Sequence, residues 1–141
     1  MSLTKVQMPI NIEGIEEPTI VDYFATINQE KFEQTAGLFA QDGELHAPFE
    51  KPIIGSNAIA SYLAKEATGM KLLPVTGIYD FEPDFTQIKV IGKVKTPLFS
   101  VNVAWYFRLN SQEKIAIAKI KLLASPQELL GLRKAKNQVD N

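Results

Sequence analysis

Apolar and polar residues alternate without a break from Ser100 to Asn110. Val101, Val103, Trp105, Phe107 and Leu109 take one side; Asn102, Ala104, Tyr106 and Arg108 take the other. A period of two predicts a β-strand with one face on an apolar interior. The stretch before it repeats the pattern, with Ile88, Val90, Gly92 and Val94 set against Gln87, Lys89, Ile91, Lys93 and Lys95. The segment EKIAIAKIKLLA predicts a further strand, joined to the first by a hairpin turn at Asn110–Glu113. KLLPVTGIYDF is a weaker strand, in which Pro74 marks an edge or an irregularity.

The first half of the chain has the helical period instead. Ile20, Tyr23, Phe24 and Ile27 fall at i, i+3, i+4 and i+7, with Thr19 as the expected cap. Phe32, Ala36 and Phe39 predict a second helix that stops at Asp42-Gly43, and ELHAPFEKPIIG a short strand followed by a loop. A third helix is expected from Ser56 as N-cap, along Ile59, Tyr62 and Leu63, to Gly69. Ser125, Pro126 and Glu128 form a capping box with a proline at the first helical position, which predicts a tail helix over 125–141. Leu129, Leu130 and Leu132 are expected to dock that tail on the outer sheet.

The order predicts an α+β fold in a single domain over 1–141, with residues 1–16 as an N-terminal arm. Three helices from the N-terminal half would lie on one face of a curved antiparallel sheet. A sheet so covered forms a cone around an apolar pocket, as in the nuclear-transport-factor-2-like (NTF2-like) architecture.

Bulk properties narrow the chemistry. The chain has 141 residues, enough for one domain with its own core. It has no cysteine and one histidine, which excludes disulfides, thiol catalysis and a histidine-built metal site. A formal net charge of −1 gives no electrostatic footprint for nucleic acid. No apolar run approaches the roughly 20 residues that span a bilayer, and the N-terminus has no apolar signal core, so a cytoplasmic location is expected.

Trp105 and Tyr23 carry the main chemical question. Both are expected to point inward, and both bring a polar hydrogen into an apolar interior. Each could satisfy it on a backbone carbonyl. Alternatively, the pair could serve one ligand carbonyl, whose oxygen accepts two donors. An isomerase would need an inward carboxylate beside Tyr23, and Asp22 falls on the polar side of its helix, so no catalytic residue is assigned. His46 reads as a strand-end histidine. Glu66 continues the apolar stripe of the third helix to its rim. Ala116, Ala118 and Gly92 either pack closely or leave room for a ligand.

The stretches EPTIVDYFATIN, LFAQDGELHAPFEKPIIG, GKVKTPLFSVNVAWYFRLN and KLLASPQELL, in that order, resemble the C-terminal domain of the orange carotenoid protein family. The likeness is greatest to the family's stand-alone C-terminal domain homologues. It covers most of the chain from Glu17 to Leu130. It implies an NTF2-like fold and a bound ketocarotenoid, canthaxanthin or echinenone, with no metal. Tyr23 and Trp105 match the family's two donors to the terminal ring carbonyl. Phe24, Ile27, Leu72, Ala116 and Ala118 fall where the family lines its tunnel, and Val103 and Phe107 flank Trp105 on the inward face. Glu66 matches a glutamate that bridges to the family's helical N-terminal domain, for which this chain has no room. The tail with Leu129 and Leu130 matches a segment that covers the outer sheet. The resemblance further implies a non-enzymatic carotenoid carrier for photoprotection, forming a homodimer. It would take pigment from membranes in transient contact, deliver it to helical carotenoid proteins and quench singlet oxygen.

Overall fold

The structure, a computed structural model, describes residues 9–123. The expected tail helix, with Leu129 and Leu130, lies outside the described residues.

Among the described residues three helices, α1 (Pro18–Asn28), α2 (Phe32–Gly37) and α3 (Ser56–Glu66), accompany six strands. The strands are β1 (Phe39–His46), β2 (Ile53–Ile54), β3 (Lys71–Phe81), β4 (Thr86–Lys95), β5 (Ser100–Leu109) and β6 (Ile115–Leu122). They form one sheet in the order β2-β1-β6-β5-β4-β3. The pairs are antiparallel except β1 and β6, which run parallel and have in the β2–β5 segment the long connection that a parallel pair requires. Cross-strand rows on the inner face follow the alternation read from the sequence. Val90 stands beside Trp105 and Ile120, and Ile88 beside Phe107 and Ala118. The helices cover this face, and the core lies between them and the sheet.

Local chemistry explains the element ends, and several differ from expectation. α1 begins at Pro18, whose missing N–H costs nothing in a first turn. Thr19 does not cap it; its hydroxyl donates to the Glu113 carbonyl at 2.9 Å and ties the helix to the β5–β6 hairpin. The Tyr79 hydroxyl instead accepts from the Glu16 and Glu17 amides, both at 3.1 Å. α2 stops at Gly37, short of the expected Asp42-Gly43, and Phe39 opens β1. The Ile115 amide donates to the Leu38 carbonyl at 3.0 Å, so the sheet claims the backbone that the helical period claimed. Phe39 is buried in either arrangement, which is why the period misled. Ser56 is the first residue of α3 rather than its cap; Gly55 holds the cap position at φ 92°, a conformation that suits glycine.

β3 is an edge strand with a register shift between Pro74 and Thr76, as Pro74 suggested. The N-terminal arm fills that irregularity. The Glu13 amide donates to the Val75 carbonyl at 3.0 Å, and the Gly77 amide donates to the Glu13 carbonyl at 2.8 Å. Ile12 and Ile15 are thereby buried in the core. A Cβ on Gly77 would lie 2.5 Å from Ile15 Cγ1, and one on Gly14 the same distance from the Gly77 carbonyl oxygen. These two glycines allow the arm to seat.

Candidate functional site

α1 and β5 bring Tyr23 and Trp105 into one aromatic cluster. Each is 1% exposed. Phe24 stands edge-on to both, its ring 5.2 Å from Tyr23 and 4.7 Å from Trp105. Phe107 closes the group at 4.9 Å from Tyr23 and 5.9 Å from Phe24. Edge-to-face contacts of this kind set a positive ring edge against a negative ring face, and they fix orientation as well as burying area. Adjacent positions on α1 are turned by about 100°. That turn aims Tyr23 at Phe39 and Phe107 while Phe24 meets Trp105.

Of the other residues singled out from the sequence, Ile27, Leu72, Val103, Phe107 and Ala118 are all buried in the same core. Asn28 locks the end of α1 to β3: its side chain donates to the Leu72 carbonyl at 2.9 Å and accepts from the Leu72 amide at 2.7 Å. Ala118 faces Phe107 across the strands, with Leu45 on its other side. Ala116 does not share that row. Leu109 pairs with Ile115 and Arg108 with Ile117, so Ala116 is the extra residue of a bulge and is half-buried. Gly92 is explained by packing, since a Cβ there would strike the Leu73 carbonyl oxygen. Glu66 is half-buried at the end of α3. His46 Nε2 meets Glu44 Oε1 at 2.8 Å in a pair open to solvent.

Burial pushes the Tyr23 phenol well above its ordinary value, with the Tyr62 phenol adding to the effect. Tyr23 is therefore a neutral hydroxyl, able to donate, throughout the physiological range. Tyr62 is itself pushed up to about 12, by burial first and then by the carboxylates of Glu50 and Glu66. The sequence placed Tyr62 only on an apolar stripe. Glu66, one turn further on α3, was its available signal; Glu50, in the loop after β1, was not. The carboxylate an isomerase would need is not supplied by Asp22, which is exposed. Among the described residues no group of three His, Cys, Asp or Glu side chains can hold a metal ion. No described helix is long and apolar enough to cross a membrane. A cleft of about 310 Å³ lies between the arm and Tyr79, apart from the aromatic cluster.

This curved sheet with helices on its inner face is an NTF2-like fold. An NTF2-like protein of unknown function from Cytophaga hutchinsonii superimposes with a TM-score of 0.64 over 84% of this chain and 96% of its own, at 12% identity, a likeness of fold alone. No family model matches the chain. The orange carotenoid-binding protein of Limnospira maxima is 42% identical over 134 residues, covering 92% of this chain and 41% of that protein. The Orange Carotenoid Protein of an Anabaena (Nostoc) species, whose structure binds canthaxanthin, superimposes with a TM-score of 0.81 at 40% identity, over 93% of this chain and 43% of its own. The chain is a homologue of the C-terminal NTF2-like domain of the orange carotenoid-binding proteins. It spans about two fifths of the length of these relatives.

Proposed function

We propose that this protein binds a ketocarotenoid, canthaxanthin or echinenone, in its NTF2-like cone and carries it without chemical change. The observation that supports this reading is that Tyr23 and Trp105, two buried neutral donors from separate elements, both pack edge-on against Phe24. In this reading both donors bind the terminal ring carbonyl. Each hydrogen bond contributes about 1 kcal/mol net, and burial of the polyene supplies most of the affinity. The donors draw electron density toward the oxygen and so shift the absorption of the conjugated system to the red. Leu72, Val103 and Ala118 line the approach with Ala116 at the bulge, and Glu66 sits at the rim.

A carotenoid is longer than one such domain is wide. The uncovered half would present a large apolar surface to water, which favours a second copy related by a twofold axis, with one donor pair at each end of the pigment. Delivery of the pigment to helical carotenoid proteins and quenching of singlet oxygen are the roles we propose for the carrier. The test is expression in a host that makes canthaxanthin or echinenone, followed by visible spectroscopy of the purified protein. A broad red-shifted band that co-elutes with the protein is expected. The Tyr23→Phe/Trp105→Phe double variant should lose that shift while remaining folded. A colourless wild-type protein from a verified pigmented host would overturn the reading.

A further inference from the structure

Phe24 is a side chain that meets both donors. Its ring stands edge-on to Tyr23 at 5.2 Å and to Trp105 at 4.7 Å, with Phe107 at 5.9 Å, and none of it is exposed. A single oxygen that accepts from both a phenol and an indole must come within about 3 Å of each donor atom. The ring bearing that oxygen then lies against both donor side chains, which is the place the Phe24 ring holds in this structure. Edge-on rings at these separations are in van der Waals contact, so a second ring has no room beside the first. A keto ring reaches the two donors only if a member of the cluster moves.

We infer that Phe24 is an internal gate: its ring closes the space between Tyr23 and Trp105 and turns aside to admit the keto ring. Trp105 and Phe107 project from β5, which is paired along both edges. Val90 and Ile120 flank the one, and Ile88 and Ala118 the other. Tyr23 shares α1 with Phe24, but it is one of the donors and has to keep its aim. α1 itself is pinned at both ends, by Thr19 on the Glu113 carbonyl and by Asn28 on the Leu72 backbone, so it resists moving as a body. Phe24 has no polar side-chain atom, and its ring can turn without breaking a hydrogen bond. A helical phenylalanine has two favoured χ1 wells, at about 180° and about −60°, and passing between them moves the ring across the helix surface. The entering ring fills the space that Phe24 leaves, so the core stays close-packed in both arrangements. The inference rests on the carotenoid reading and deepens it, naming the side chain that controls access to the two donors.

The experiment has one arm without pigment and one with it. Trp105 is the single tryptophan, so its indole N–H can be followed alone by hydrogen exchange in the pigment-free full chain. In Phe24→Leu, which keeps an apolar side chain but removes the ring, that N–H should exchange roughly tenfold or more faster, and by a larger factor than the β5 amides. In the second arm canthaxanthin in detergent micelles is mixed with the protein and the red-shifted band is followed in time. Phe24→Leu should load roughly tenfold or more faster, with the band at the wild-type wavelength because both donors remain. Phe24→Met, close in volume and without a ring, repeats both arms should the first variant fold poorly. A structure of the loaded protein should show the Phe24 ring clear of the space between Tyr23 and Trp105. Folded ringless variants with wild-type indole exchange and loading would overturn the inference. So would slower or weaker loading, which would make Phe24 a wall of the site, or a loaded structure with Phe24 still edge-on to both donors. A colourless wild type whose ringless variant still frees the indole N–H would keep the gate and overturn the carotenoid reading instead.

Discussion

Burial first, and then the carboxylates of Glu50 and Glu66, raise the Tyr62 phenol, which in turn adds to the rise of the buried Tyr23. The folded-state Tyr62 value of about 12 lies above the ordinary 10, so the folded protein favours the neutral form. The corresponding stability is fully present below about pH 10 and is lost as pH rises toward 12. Tyr62→Phe should therefore lose less stability than the wild type between about pH 9 and about pH 11.5, read as urea midpoints. An equal fall in both proteins would mean that Tyr62 is not the titrating group. Tyr23 and Trp105 were legible from the sequence because helical and strand periods each turned one of them inward. Their common packing against Phe24 was not, since period places a residue on a face but not opposite another. The link from Glu50 to Tyr62 was likewise hidden, because it runs between a loop and a helix that no periodicity joins.

Elements were legible where the period was long and uninterrupted. β4 and β5 match their predicted alternation throughout, and the Asn110–Glu113 turn forms with the Asn110 side chain accepting from the Gln112 and Lys114 amides. Reading failed at short elements where tertiary pairing competes with propensity. α2 gave Phe39 to β1, and the bulge at Ala116 broke the period of β6. Neither the Pro74–Thr76 irregularity nor the NIEGI stretch announced that the one seats the other. Gly77→Ala should push Ile15 off the sheet and, with the Lys89 carbonyl also crowded at 2.8 Å, cost about 1–3 kcal/mol. The urea midpoint should fall and the Glu13 amide should exchange faster. Gly14→Ala places a side chain at φ 89° and against the Gly77 carbonyl, so it should act in the same direction. The double variant should cost less than the two losses added together, because an arm already displaced no longer meets the second clash. Strict additivity would show that the two glycines act separately.

The described residues divide their surface by charge. The outer sheet face is basic, while Glu13, Glu16, Asp22 and Glu30 are exposed along the arm and α1. In the proposed arrangement a pigment-bearing pair is joined at the open ends of the two cones. Loading with canthaxanthin should accordingly raise the mass measured by light scattering to that of two copies, one pigment per pair. A holo-protein that stays at the mass of a single copy would refute the shared-pigment arrangement. The class of fold was readable from the order of helices and strands. The seating of the arm also has a mechanical consequence. Glu13 joins the sheet edge through two hydrogen bonds that run across the line of the chain, with Ile12 and Ile15 set into the core beside them. A pull on polypeptide attached ahead of Pro9 would load those bonds in shear and reach α1 only after they had parted. The rim of the sheet is thus a handle, and a tethered partner would tug on the wall of the cone before it disturbed the helix that holds Tyr23.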